Sequence, residues 1–135
     1  MSIIRKEVLI DAPVAAVWKH VTDPAKIAGW LMPNTFEARL GKSFDLACGT
    51  EGKISCTVLE IVPEQKLVYS WTSPHIGVET TVTITLTAEK NRTRVVLVHS
   101  GWDALPPSDR TIADPFDQGW NDHLRILQEQ VESHQ

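Results

Sequence analysis

Residues 79–100 read ETTVTITLTAEKNRTRVVLVHS, and this stretch limits the fold more than any other. In its first half Val82, Ile84 and Leu86 alternate with Thr81, Thr83, Thr85 and Thr87. A period of two puts the apolar set on one face of a strand and the threonines on the other. A helix cannot use that pattern. Val95, Leu97 and His99 repeat it in the second half, so the stretch predicts an antiparallel hairpin turning near Asn91-Arg92. One face should be buried and the threonine face solvated.

The same period runs back to Thr35. TFEARLGKSFDLAC predicts two short strands around Gly41-Lys42, ISCTVLEIV another after the break GTEGK, and LVYSWT a further one after the turn PEQK. Before Thr35 the pattern differs. Ile3 to Ile10 mix β-branched residues with charges and read as a strand. Pro13 suits the first position of a helix, Asp11 puts a carboxylate near its positive end, and Val14, Val17, Trp18 and Val21 follow at helical spacing. Asp23-Pro24 repeats the start signal for a second short helix, with Ile27, Trp30 and Leu31 as its apolar side.

The period changes once more at the end. In DPFDQGWNDHLRILQEQVESH, Phe116, Trp120, Leu124, Leu127 and Val131 follow at steps of four, four, three and four. This is one face of a helix, and His123 falls on it between Phe116 and Leu127. Asp114-Pro115 can cap and begin that helix; alternatively PSDRTIA forms an earlier turn and Pro115 kinks one longer helix. A strand, two short helices, a run of strands and a last long helix predict an α+β fold. It is one curved antiparallel sheet of about six to seven strands with helices on one side.

A chain of 135 residues with neither an internal repeat nor a low-complexity linker is expected to form one domain over residues 1–135. The net charge of −4, with scattered rather than clustered basic residues, predicts no nucleic-acid partner. Apolar runs of only a few residues predict no membrane insertion. MSIIRKEVLI lacks an apolar signal core and a small-residue cleavage site, so a cytoplasmic protein is expected, with Cys48 and Cys56 as reduced thiols. The NRT at Asn91 then carries no meaning as a glycosylation acceptor.

Strand parity turns Phe44, Leu46 and Cys48, then Ile54, Cys56 and Val58, then Leu67, Tyr69 and Trp71 towards the same interior as Val82, Ile84, Leu97 and His99. Two histidines, His99 and His123, therefore face apolar surroundings. Each either bonds to a neighbour within the core or orients a ligand carbonyl, carboxylate or phenol. Acid–base catalysis would need a second group in reach, such as Tyr69 or Glu60, and no motif fixes that distance. Cys48, Cys56, His99 and His123 are zinc-type ligands, but without the close pair spacing of a zinc motif no metal is expected. Neither cysteine sits at a helix start that would activate it, and no Gly-rich phosphate loop or nucleophile elbow occurs, so neither a catalytic residue nor a cofactor is assigned. Trp18 sits at helical spacing as a core residue. Trp30, Trp71 and Trp102 lie at a helix end, a strand end and a strand exit, and Trp120 on the last helix, where flat rigid rings can line a ligand site.

IDAPVAAVWKHVTDPAKIAGWL, LVYSWT, TRVVLVHSGW and QGWNDHLRILQEQV, in this order, resemble the bacterial single-domain relatives of the activators of heat-shock-protein-90 ATPase. These belong to the helix-grip (START and pollen-allergen-like, SRPBCC) superfamily. The resemblance spans nearly the whole chain. It implies a strongly bent antiparallel sheet gripping the long last helix, with an apolar cavity between them. The chain departs from the pattern at DALPPSDRTIAD, where relatives run directly into the helix. With parity and helix face, the implied cavity would be lined by Trp30, Phe44, Tyr69, Trp71, Val82, Ile84, Leu97, His99, Trp102, Phe116, Trp120, His123 and Leu127. Three functions stay open. One is binding of an apolar small molecule, either a lipid or a polycyclic compound. Another is stimulation of a chaperone ATPase, with the chaperone as partner. The third is cyclase- or hydrolase-type catalysis in the same cavity.

Overall fold

The computed structural model describes residues 3–47, 52–73, 76–106, 108, 111 and 113–133. Strand β1 (Ile3–Ile10) leads into helices α1 (Val14–Thr22) and α2 (Pro24–Trp30). Strands β2 (Ser43–Ala47), β3 (Lys53–Val62), β4 (Lys66–Trp71), β5 (Thr80–Glu89) and β6 (Arg92–Ser100) follow, then a single 3₁₀ turn (Trp102–Ala104) and helix α3 (Asp114–Ser133). The strands form one curved antiparallel sheet in the order β1-β6-β5-β4-β3-β2. The fold is α+β, a helix-grip fold with α3 lying against the sheet.

The alternation of the hairpin sets the register. Val82 pairs with His99, Ile84 with Leu97 and Leu86 with Val95, and all six are buried. Lys90 takes a φ of 61° in the tight turn between Glu89 and Arg92. Beside it, Arg94 bonds Glu89 and, across to β1, Glu7. These hydrogen bonds from Arg94 hold both carboxyls below their usual range. The outer threonines Thr81, Thr83 and Thr85 are half-buried, because neighbouring strands flank them; only Thr87 is exposed. In β3 the inward set Ile54, Cys56 and Val58 ends at a register shift between Val58 and Glu60, and Leu59 turns out to solvent. Such a bulge reverses parity beyond it.

The helices follow their start signals closely. Asp23 Oδ1 accepts from Ala25 N at 3.0 Å and Pro24 opens α2. Pro13 is the residue just before α1 rather than its first member. Helix α3 begins at Asp114 with Pro115 in its first turn, where the missing N–H costs nothing. Residues 107, 109, 110 and 112 of the expected earlier turn lie outside the described residues, as does Cys48.

One predicted strand does not form. Residues 35–40 are irregular, and β2 starts only at Ser43. The cause is local. Asn34 Nδ2 donates to Pro24 O and Met32 O, its Oδ1 accepts from Phe36 N, and Thr35 Oγ1 accepts from Asp45 N. Side-chain bonds of this kind compete with a strand ladder and win here. Phe36 still packs inside, whereas Leu40 is exposed.

Helix α3 buries Trp120, Leu124, Leu127 and Val131 against the sheet and the two short helices. Each such side chain contributes about 1.5–3 kcal/mol. Polar clasps fix its position along the axis: Gln128 Nε2 donates to Leu9 O at 3.1 Å, Gln130 Nε2 to Gly29 O at 2.9 Å, and Glu132 Oε2 accepts from Asp11 N at 2.9 Å. A Cβ at Gly29 would meet Gln130 Oε1 at 2.8 Å, so any side chain there would push the Gln130 amide aside and disturb its bond to Gly29 O. Among the described residues no helix is long and apolar enough to cross a membrane.

Candidate functional site: a cleft beside the start of the last helix

Trp71 closes β4, Thr80 opens β5 beside it, and His99 lies near the end of β6. The first turns of α3 cover this corner with Phe116 and Trp120, and the 3₁₀ turn adds Trp102. Gly101, at a φ of 100°, makes the exit from β6. A Cβ there would stand 3.2 Å from Thr80 Cα, so the backbone crossing needs glycine.

His99 ties the corner together. Trp120 Nε1 donates to His99 Nδ1 at 3.0 Å, which makes Nδ1 the acceptor and puts the ring proton on Nε2. Nε2 then donates to Thr80 Oγ1 at 2.7 Å, and the hydroxyl donates onward to the Trp71 carbonyl at 3.1 Å. The His99 carbonyl accepts from Trp102 Nε1 at 3.0 Å. The ring stands 4.6 Å from Trp102 and 5.3 Å from Trp71, centroid to centroid. Burial pushes its pKa down to about 3, so the imidazole is neutral. With both nitrogens engaged, it can neither take a proton nor meet a ligand without breaking an internal bond.

His123 is placed differently. Its ring is half-buried, and Nδ1–H donates to the Trp30 carbonyl at 3.0 Å, which leaves the Nε2 lone pair without a partner among the described residues. Trp71 carries a second unpaired group. Its indole Nε1–H is buried and is the only such side-chain nitrogen or oxygen without a hydrogen-bond partner among the described residues.

Both residues line one cleft of about 140 Å³, together with Met32, Pro115, Phe116, Gly119 and Trp120. Trp71 and Trp120 form its buried floor, while Met32, Phe116, Gly119 and His123 are half-buried and Pro115 is exposed. A Cβ at Gly119 would meet nothing within 4 Å, so the missing side chain contributes to the open space. Apart from His123 the described lining residues carry no ionisable group. The volume is close to that of cavities that take up a single benzene-sized ring.

Four of the residues expected around a cavity meet at this cleft: Trp71, Phe116, Trp120 and His123. Trp30, Phe44 and Tyr69 border a separate void of only about 10 Å³, with Phe44 set edge-on to Tyr69 at 5.3 Å. Burial pushes the Tyr69 phenol upward. Val82, Ile84, Leu97, His99, Trp102 and Leu127 are packed in the core. Cys56 is buried too, and burial pushes its thiol up to about 12, which removes it as a nucleophile. No metal-binding group of three ligand-type side chains occurs among the described residues. Sequence reasoning missed Met32, Pro115 and Gly119. Only Gly119 gave a signal, as a glycine in mid-helix between aromatic residues.

Residues 11–132 match the family described as Activator of Hsp90 ATPase homolog 1-like protein. The chain belongs to this family. Among solved structures it is similar to protein MLL2253 of Mesorhizobium loti, with 28% identity and a TM-score of 0.87 over 98% of this chain and 97% of that one. It is also similar to protein BH1534 of Bacillus halodurans, with 29% identity and a TM-score of 0.81 over 98% of each chain. DynU16, a putative protein in the dynemicin biosynthetic locus, gives 26% identity and a TM-score of 0.86, and the match covers 100% of this chain but 49% of that one. No curated protein matches the chain.

Proposed function

We propose that this protein, acting as one domain in the cytoplasm, binds a small apolar molecule in the cleft between α3 and the end of β4. The observation that carries this reading is the cleft itself: apolar walls reach down to two buried tryptophans, with room for about one ring. A larger lipid or polycyclic compound would enter by one ring or chain end, displacing the half-buried Phe116 and Met32. Catalysis finds little support, because His99 is fully bonded and neutral, and among the described lining residues His123 has no second acid or base beside it. Ethylbenzene is a suitable first probe. Binding should quench tryptophan emission and move the amide signals of residues 116–123 in two-dimensional NMR. Unchanged spectra at saturating ethylbenzene would end the proposal.

The family description also supports a second reading, stimulation of a chaperone ATPase. Its test is ATP turnover by a heat-shock-protein-90 chaperone with the protein added. Stimulation that survives filling of the cleft would move the function to the outer surface.

A further inference from the structure

Four indoles are buried here. Trp30 Nε1 donates to His20 O at 2.8 Å, Trp102 Nε1 to His99 O at 3.0 Å and Trp120 Nε1 to His99 Nδ1 at 3.0 Å. Trp71 is 1% exposed, and its N–H has no acceptor among the described residues. These residues thus supply an acceptor for each of the other three indoles and none for the one on the cleft floor. A buried donor left open in this way is unfavourable, and an arriving acceptor regains what was lost. The opposite polar group is the Nε2 lone pair of His123. It is held in acceptor form because Nδ1–H is committed to the Trp30 carbonyl. Trp120 lies between the two, 5.5 Å from Trp71 and 5.8 Å from His123 by ring centroids. The residues that carry the unpaired donor and the open acceptor therefore both line the cleft beside Trp120, and the described lining residues carry no formal charge when His123 is neutral.

We infer that the cleft selects an uncharged aromatic ring carrying a carbonyl-type acceptor for Trp71 Nε1–H and a hydroxyl for His123 Nε2. This rests on the cleft being a binding site and adds the class of ligand. A hydrocarbon leaves both groups unmet. A carboxylate must shed its water against an apolar wall whose described residues offer no cation, so it is disfavoured. The hydroxyaryl ketone satisfies both groups without carrying charge.

Four probes of nearly equal size separate the parts: ethylbenzene, p-ethylphenol, acetophenone and p-hydroxyacetophenone. Titration by calorimetry should give p-hydroxyacetophenone the highest affinity and ethylbenzene the lowest, with acetophenone about tenfold tighter than ethylbenzene. The indole proton of Trp71, identified from the tryptophan side-chain signal missing in Trp71→Phe, should move downfield with acetophenone and not with ethylbenzene. Trp71→Phe should lose the preference for the ketone over ethylbenzene, whatever it does to the affinity for the hydrocarbon itself. His123→Phe should lose only the preference for the hydroxyl. Equal affinities across the set, or a Trp71 indole proton unmoved by the ketones, overturns this inference while leaving the cleft as an apolar site. Failure of all four to bind overturns the cleft reading itself. Because the indole signal is read in the unaltered protein, the inference stays testable even if Trp71→Phe does not fold.

Discussion

His99 shows what a single buried side chain can impose on the molecule. The unfolded chain takes up a proton at this ring near the ordinary histidine value of 6.5, whereas burial in the folded protein resists it down to about 3. Between those values the unfolded state holds more protons, so stability is complete above about pH 6.5 and falls as the pH drops towards 3, by about 1.4 kcal/mol per unit. Protonation would also set a new N–H at Nδ1 against the Trp120 N–H that now points at it. Between pH 7.5 and 5, urea denaturation should lose about 2 kcal/mol through this ring. That window lies above the range in which Glu7 and Glu89 titrate. His99→Gln should be less stable at pH 7.5 and flatter across the window; an equally steep profile would place the acid sensitivity elsewhere. The inward direction of His99 was legible from parity alone. Its partners were not, since Thr80 and Trp120 lie 19 and 21 residues away in sequence and only the fold brings them to its two nitrogens. The open Trp71 N–H was equally hidden, because a missing partner has no sequence signature.

At the scale of elements, helix α3 couples the core to the cleft. Trp120 fills the space under the helix and also supplies the N–H that His99 Nδ1 accepts. Trp120→Ala should destabilise by about 3–5 kcal/mol, since the cavity term and the lost hydrogen bond act together. A denaturation midpoint corresponding to less than about 1 kcal/mol would mean that the first turns of α3 are not packed as described. At α2 the start signal is isolated from the core. Asp23→Ala removes the acceptor for Ala25 N and should cost about 1 kcal/mol, with no effect on cleft binding. The elements with strong local rules were legible: the alternating hairpin, the Asp-Pro start and the stripe on α3. Thr35 to Leu40 was not, because its alternation resembles a strand while Asn34 and Thr35 capture the backbone groups a ladder would need. The cleft was legible in part. Helix face and parity pointed to Trp71, Phe116, Trp120 and His123, but Met32 and Pro115 reach it only through the way α2 and α3 pack.

For the whole molecule, Gly119 links stability and binding. In the middle of a helix glycine costs about 1 kcal/mol relative to alanine, and here no crowding requires it, since a Cβ meets only open space. A leucine at this position should therefore improve helix propensity and project into the cleft without pressing on the core. Two results follow for Gly119→Leu. The free protein should be at least as stable as the parent, because apolar surface fills space between Phe116, Trp120 and Met32. Ligand should no longer stabilise it. In the parent, a ring compound at a concentration one hundred times its Kd should add about 2.7 kcal/mol, on the order of 10 °C in Tm for a domain of this size. In Gly119→Leu the same concentration should leave Tm where it was. If the variant instead shows the full ligand shift, the compound binds outside this cleft, and the open space at Gly119 is merely surface. If the variant unfolds at lower temperature than the parent, the cleft is tighter than its 140 Å³ implies, and a ring could enter only by moving α3.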